Sequence, residues 1–215
     1  MVPAQERSLW SQTHTYFPLL ENFIIQNEIT IKRALLIGCA DGHFIDPLLK
    51  FCSHLIAVEV DPKALYGDTH KIDESTYAKD AGVFKKYKQF ITEKRLSVIE
   101  GNFLDVPLPD NCDLVFTSSS FHYSLNQGRL WGMVDKMITS LRPGGIFACD
   151  YMMPLNEVEK ESGKFLVEGQ LVKYLEGKDV QVLSAYYSEP YLEKAHAYVP
   201  YNHYHKMGYV IAVKS

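Results

Sequence analysis

The densest chemistry in the sequence lies in Ile37-Gly38-Cys39-Ala40-Asp41-Gly42-His43, which follows a short apolar run and opens an amphipathic segment. Glycines in such a loop let the backbone approach a ligand closely, and unpaired N–H groups at a helix start favour polar groups there. About 20 residues on, a second apolar run ends in Val58-Glu59-Val60-Asp61-Pro62, which puts Glu59 where a carboxylate would take both ribose hydroxyls of a nucleotide-like cofactor. Two classes of ligand share this geometry. A dinucleotide needs Gly-x-Gly-x-x-Gly for its pyrophosphate, whereas the spacing here is Gly38-x-Ala40-x-Gly42 with no third glycine one residue later, so the pyrophosphate reading fails and a nicotinamide dehydrogenase becomes a distant one.

These residues need strands and helices to hold them. Short apolar runs at 34–37, 55–60, 96–100, 113–118 and 146–150 read as five parallel strands covered on both faces. Between them, Phe44, Leu48, Leu49 and Cys52, and later Leu130, Trp131, Val134, Met137, Ile138 and Leu141, recur at helical intervals. In the long connection 62–95, Tyr77, Ala81, Phe84, Tyr87 and Ile91 make one apolar stripe, which predicts a helix with lysines on its solvated face. Residues 9–27 are helical in pattern but interrupted at Pro18, which predicts an N-terminal helical lid over 1–30, with one domain over 31–215. Val158, Phe165, Leu166, Val172 and Leu175 predict a further helix, opened by Asn156 with Glu159 three residues on and ended at Gly177. Two runs rich in Val, Ile and Tyr, 180–187 and 204–213, read as closing antiparallel strands.

At this point the sequence resembles the class I S-adenosylmethionine-dependent methyltransferases, from about Ala34 to the C-terminus. The segments ALLIGCADGHF, AVEVDP, GNFLDVPLPDNCDLVFTSSSFHY and LRPGGIFACDY match that family's motifs in order. The resemblance implies an α/β, Rossmann-like fold: a seven-stranded, mostly parallel sheet with helices on both faces and a C-terminal antiparallel hairpin. It implies S-adenosylmethionine as cofactor, with the backbone of Gly38, Cys39 and Ala40 under its methionine part, Glu59 on the ribose and Val60 along the adenine. Asn102 and Phe103 would contact the adenine edge, and Thr117 and Ser118 would face the methionine amino group or sulfonium. The chain departs from the family pattern at Leu36, where an acidic residue is frequent, and at Ala40, which replaces the second loop glycine. Asp41 either supplies part of the missing negative charge or caps the following helix.

Methyl transfer from a sulfonium requires an in-line nucleophile and exclusion of water, so a catalytic base is optional. His122, Tyr123 and Tyr151 lie just past the sheet edge where such folds place ligands, and His122 is the first choice for a base. The competing account makes His122 a hydrogen-bonded structural residue and Tyr151 a packed aromatic. His203 and His205 form an HxH with His196 nearby; with no third ligand apparent, structural or substrate-facing histidines are favoured over a metal site.

Composition narrows the partners. The chain has 215 residues, 47% of them hydrophobic and 22% charged, with a formal charge of −4 and no basic block, which disfavours a nucleic-acid partner. After the fourth strand, Ser118-Ser119-Ser120-Phe121 lacks the Pro-Pro-aromatic element of amino-methylating nucleic-acid enzymes, so a small-molecule acceptor fits best. Four dispersed cysteines without a CxxC pair, no apolar leader and no apolar stretch long enough to span a membrane predict a cytoplasmic, soluble protein, monomeric or homodimeric. A degenerate methyltransferase-like binding protein is the non-catalytic alternative. The 14 tyrosines, seven of them between Tyr186 and Tyr209, are expected in part at the wall of the acceptor pocket.

Overall fold

A computed structural model describes residues 16–71, 77–124, 126–195, 199 and 201–215. The chain runs α1 (Phe17–Gln26), β1 (Ile31–Ile37), α2 (Ile45–Leu49), β2 (Cys52–Glu59), α3 (Pro62–Tyr66), β3 (Asp68–Lys71), β4 (Tyr77–Asp80), α4 (Val83–Lys86), α5 (Lys88–Thr92) and β5 (Leu96–Glu100). It continues through β6 (Cys112–Ser118), a 3-10 turn (Phe121–Tyr123), α6 (Gln127–Ser140), β7 (Leu141–Met153), α7 (Glu157–Glu161), α8 (Gln170–Glu176), β8 (Val180–Tyr187), β9 (Tyr191–Glu193) and β10 (His203–Lys214).

The main sheet has the order β5-β2-β1-β6-β7-β10-β8, and β9 pairs with the outer end of β10. The pairs β5–β2, β2–β1, β1–β6 and β6–β7 are parallel, and β10 runs antiparallel to β7, β8 and β9. This is the Rossmann-like methyltransferase fold, with seven strands across the sheet and the short β9 as an addition. Successive side chains of a strand point to opposite faces. Leu36, Ala57, Phe116 and Ala148 therefore join one core with α1 and α2, while Leu35, Ile56, Val115 and Phe147 join the other with α6 and α8. Because both faces are covered, these strands read as continuous apolar runs.

Two helical expectations are corrected. Residues 77–91 are not one helix: Tyr77–Asp80 pair with Asp68–Lys71 as a two-stranded antiparallel sheet, and helix begins only at Val83. The cause is Gly82, with φ +76°, whose absent Cβ would lie 2.3 Å from the Gly67 nitrogen and 2.4 Å from the Tyr66 carbonyl carbon. Gly67, at φ +102°, completes a neck in which two backbones pass in contact. The segment 157–176 is two helices rather than one, since Gly163 and Gly169 adopt positive φ between α7 and α8. Its expected start holds, with the Asn156 side chain accepting from the Glu159 N–H at 2.9 Å, and α8 ends against Gly177.

Pro18 lies in the first turn of α1, where a missing N–H costs nothing. Tyr16, Phe17, Leu20 and Ile24 are buried against the sheet. Residues 1–15 of the expected lid lie outside the described residues. Among the described residues, no helix is long and apolar enough to cross a membrane.

The Gly67–Gly82 neck sets a stability test. Gly82→Ala combines a φ/ψ region open almost only to glycine with backbone overlap, and should lower the unfolding free energy by about 3 kcal/mol or more in urea titration. A loss below about 1 kcal/mol would show that the neck opens without strain.

Candidate active site

The carboxyl ends of β1, β2, β6 and β7 open into one cavity of about 720 Å³. Its floor is the loop after β1. Gly38 N–H and Cys39 N–H both donate to the Val58 carbonyl, at 2.9 and 3.2 Å, which ties the start of the loop to the end of β2. A Cβ at Gly38, where φ is +67°, would stand 2.4 Å from Ser120 Oγ; one at Gly42, where φ is +93°, would stand 2.5 Å from the Tyr87 ring. Both glycines are thus required by what packs on them. Ala40 adopts φ +45° although it carries a Cβ. Helix α2 begins after the loop, at Ile45, with Phe44 as an N-cap that makes no side-chain capping bond. Asp41 is buried on the cavity lining, so it is not the cap of that helix.

Glu59 is the hub of this floor. Oε2 accepts from the Ala40 N–H at 2.7 Å, and Oε1 accepts from the N–H groups of Val60 and Asp61 at 2.8 and 2.9 Å. A carboxylate has roughly four acceptor positions, so about one remains for a ribose hydroxyl where two were expected to be served. Val60 is exposed along the rim. Asn102 folds its Oδ1 back onto the Leu104 N–H at 2.9 Å, an Asx turn that brings Asn102 and Phe103 to the same lining.

At the end of β6 the expected pair separates. Ser118 lines the cavity and donates to Asp150 Oδ1 at 2.9 Å. Thr117 does not reach the lining; it is fully buried and its hydroxyl donates to the Ile37 carbonyl at 3.0 Å, joining β6 to β1. Tyr151 is likewise displaced from the expected site. It is fully buried in the α6–α8 core with its ring against Gly208. Strand alternation explains this: Asp150 and Met152 face the cavity, so Tyr151 between them faces away. The same rule would have found Asp150, which Ser118 Oγ, Ser119 N–H and Ser119 Oγ all approach at Oδ1 within 3.1 Å. Burial pushes the Asp150 carboxyl up to about 6 in spite of those three donors.

His122 and Tyr123 stand on the 3-10 turn at the opposite wall, both on the lining. His122 Nδ1 is buried without a hydrogen bond among the described residues, and burial together with the nearby His205 pushes its pKa down to about 4. The third wall comes from α1 and the β9–β10 hairpin: Tyr16, Phe17, Tyr191, Glu193, His203, His205 and Met207. Glu193 escapes sequence reading because β9 has three residues and its register is set only by pairing. The tyrosine excess divides. Tyr16, Tyr123 and Tyr191 line the cavity, Tyr209 stacks beneath Tyr16 at 5.7 Å, Tyr186 and Tyr201 are half-exposed or more with rings 5.9 and 6.1 Å from Tyr16 and His203, and Tyr204 is exposed.

A glycine loop tied to a strand-end carboxylate, at the carboxyl edge of a sheet in this order, defines a nucleoside-cofactor-binding transferase domain. Residues 35–149, more than half of the chain, match the family model described as "Methyltransferase domain", and the chain belongs to that family. Similar solved structures include the N-methyltransferase NodS from Bradyrhizobium japonicum, at 14% identity and TM-score 0.62 over 93% of each chain. NodS in complex with S-adenosyl-L-homocysteine matches at 13% identity and TM-score 0.59, over 94% of this chain and 89% of that one. An S-adenosylmethionine-dependent methyltransferase from Clostridium acetobutylicum matches at 10% identity and TM-score 0.64, over 93% and 91%. No curated protein sequence matches the chain. The chain is a class I methyltransferase, and S-adenosylmethionine is its cofactor.

The residues present fit that cofactor. Asp41, Glu59, Asp61, Asp150 and Glu193 face the cavity against a single guanidinium, Arg129, among the described lining residues. That balance suits a cationic sulfonium and opposes a pyrophosphate.

Two measurements follow from this geometry. Glu59→Ala should weaken binding of S-adenosylhomocysteine by about 10- to 100-fold in calorimetry, the range expected for losing a charged hydrogen bond; unchanged affinity would remove Glu59 from the cofactor site. Asp150 has a folded pKa above its unfolded value, so its contribution favours the fold at low pH and is lost as pH rises through about 6. Asp150→Asn can keep all three donors on Oδ1, so its stability relative to wild type should climb from pH 4 to pH 6 and level off above. Parallel curves across that range would mean that Asp150 is not shifted.

Proposed function

We infer that the chain transfers a methyl group from S-adenosylmethionine to a hydroxyl or amine of a small molecule, by in-line displacement in the described cavity. The observation that carries this reading is the third wall. Helix α1, whose Phe17 ring lies 5.5 Å from that of Phe44 after the glycine loop, and the β9–β10 hairpin add a wall to the cavity, which narrows it to the scale of a small molecule. In this reading residues 1–30 act as the lid whose inner end is Tyr16 and Phe17.

When bound, the cofactor supplies an electrophilic methyl group, and the protein orients its partner and keeps water out. The backbone from Gly38 to Ala40 passes under the methionine part and Glu59 holds the ribose, with Val60, Asn102 and Phe103 along the base. Ser118 and Asp150 stand at the centre of the lining, between that end and the third wall. Tyr16, Phe17, Tyr191 and Met207 present apolar surface that displaces solvent. His122 is neutral at physiological pH because burial disfavours its cation. In this reading it takes the proton of the acceptor, with the exposed Tyr123 ring 4.0 Å from its own. The four cysteines, all free and buried, support a cytoplasmic location, and in this reading the chain acts as a monomer or homodimer.

The test is a panel of hydroxyl- and amine-bearing metabolites with labelled methyl donor. Against the acceptor so found, His122→Ala should lower kcat by about 100-fold or more, whereas Tyr151→Phe should leave it unchanged. Full turnover by His122→Ala would overturn the assignment of the base, and labelling of nucleic acid in place of any small molecule would overturn the acceptor class.

A further inference from the structure

The HxH of the sequence acquires a third member in the fold. In the β9–β10 hairpin His203 lies directly opposite Glu193, and His205 follows two residues along the same strand, on the same face. Glu193 Oε2 is 2.6 Å from His205 Nε2 and 3.7 Å from His203 Nε2, and one ligand atom from each of the three residues lies within 4.8 Å of the others. Donor atoms about 2.0–2.1 Å from a tetrahedral zinc ion stand about 3.3 Å apart, which lies between the two distances to Glu193. His196 lies outside the described residues.

The histidine orientation agrees. His203 Nδ1 is 3.0 Å from the Tyr201 carbonyl, which can only accept, so Nδ1 carries a proton and Nε2 is the nitrogen available to an ion. Metal-ligating histidines are held in this manner, the second nitrogen donating to a backbone carbonyl. Glu193 is 3% exposed, and the two imidazoles about 15%. A buried carboxylate faced by two imidazole nitrogens is satisfied by a shared cation more completely than by a single proton.

We propose that Glu193, His203 and His205 form a three-ligand site for a divalent first-row transition ion, zinc the foremost, on the wall of the methyl-transfer cavity. Two imidazoles and one carboxylate are the donor set of catalytic zinc and of non-haem iron sites, and they leave at least one coordination position open. All three residues line the same cavity as Glu59 and Ser118, so the open position faces the acceptor. Resting on the methyltransferase reading above, the ion selects acceptors with a hydroxyl and lowers its pKa, and the released proton goes to bulk water.

The full-length chain, stripped with chelator and dialysed, is titrated with zinc by calorimetry and by competition with a chromophoric chelator. One equivalent should bind at about micromolar Kd or tighter. Glu193→Gln and His203→Asn should each weaken it at least about 100-fold. Because substitution in the hairpin could unsettle it, cobalt(II) is added to the wild-type chain as a second readout, where the visible spectrum of nitrogen- and oxygen-ligated cobalt is expected. Zinc affinity equal in wild type and both variants, or no cobalt spectrum, overturns the site. Zinc bound by a chain that fails to bind S-adenosylhomocysteine would uphold the metal site and overturn the functional reading instead.

Discussion

The cavity depends on one carboxylate. Glu59 gathers the N–H of Ala40 from the loop after β1 and those of Val60 and Asp61 from the turn after β2, so two loops that diverge from adjacent strands are fixed to each other. Hydrogen bonds to an ionised acceptor are each worth about 1.5–3 kcal/mol, enough to hold backbone that would otherwise relax. Ala40 shows the effect, since its left-handed φ is unfavourable for a residue with a Cβ and is retained where its N–H meets Glu59. With the loop so fixed, Gly38 passes under Ser120 and Gly42 under Tyr87 without a side chain between them. The departure from glycine at position 40 is therefore accommodated by Glu59 itself.

What could be read from the sequence was whatever depended on local pattern. The five parallel strands were legible because burial on both faces makes them apolar throughout, and the glycine loop and Glu59 because their spacing follows from the first two strands. The neck at Gly67 and Gly82 was not legible, since a helical stripe through Tyr77 and Ala81 survives in the sequence even though Gly82 forbids that helix in space. The stripe from Val158 to Leu175 misled in the same way, because Gly163 and Gly169 interrupt it without disturbing its apolar spacing.

At the ends of β6 and β7 the cavity lining was legible to within one residue. Thr117 and Tyr151 were placed at the correct sheet edge but on the wrong side of it, because the strand parity of β6 and β7 had not been followed to their ends. Asp150, beside Tyr151, carries the polar contacts that the tyrosine was expected to make. Glu193 depends on tertiary pairing alone: a three-residue strand has too little pattern to announce its register, yet that register decides which carboxylate faces the two histidines. The tyrosines proved to serve two ends, with Tyr209 supporting Tyr16 from below and only some of the others reaching the cavity.

The long β10 has an evolutionary consequence. Its inner portion is paired on both sides, with β7 and β8, whereas its outer end is paired through His203, Tyr204 and His205 to β9. The side of the cavity formed by β1, β2, β6 and β7 is built from the parallel strands and loops that the whole fold requires, so substitutions there are constrained by folding itself. The outer end of β10 and β9 can change side chains, length or register with little effect on those strands. The wall that those two strands add is thus the part of the cavity that folding constrains least.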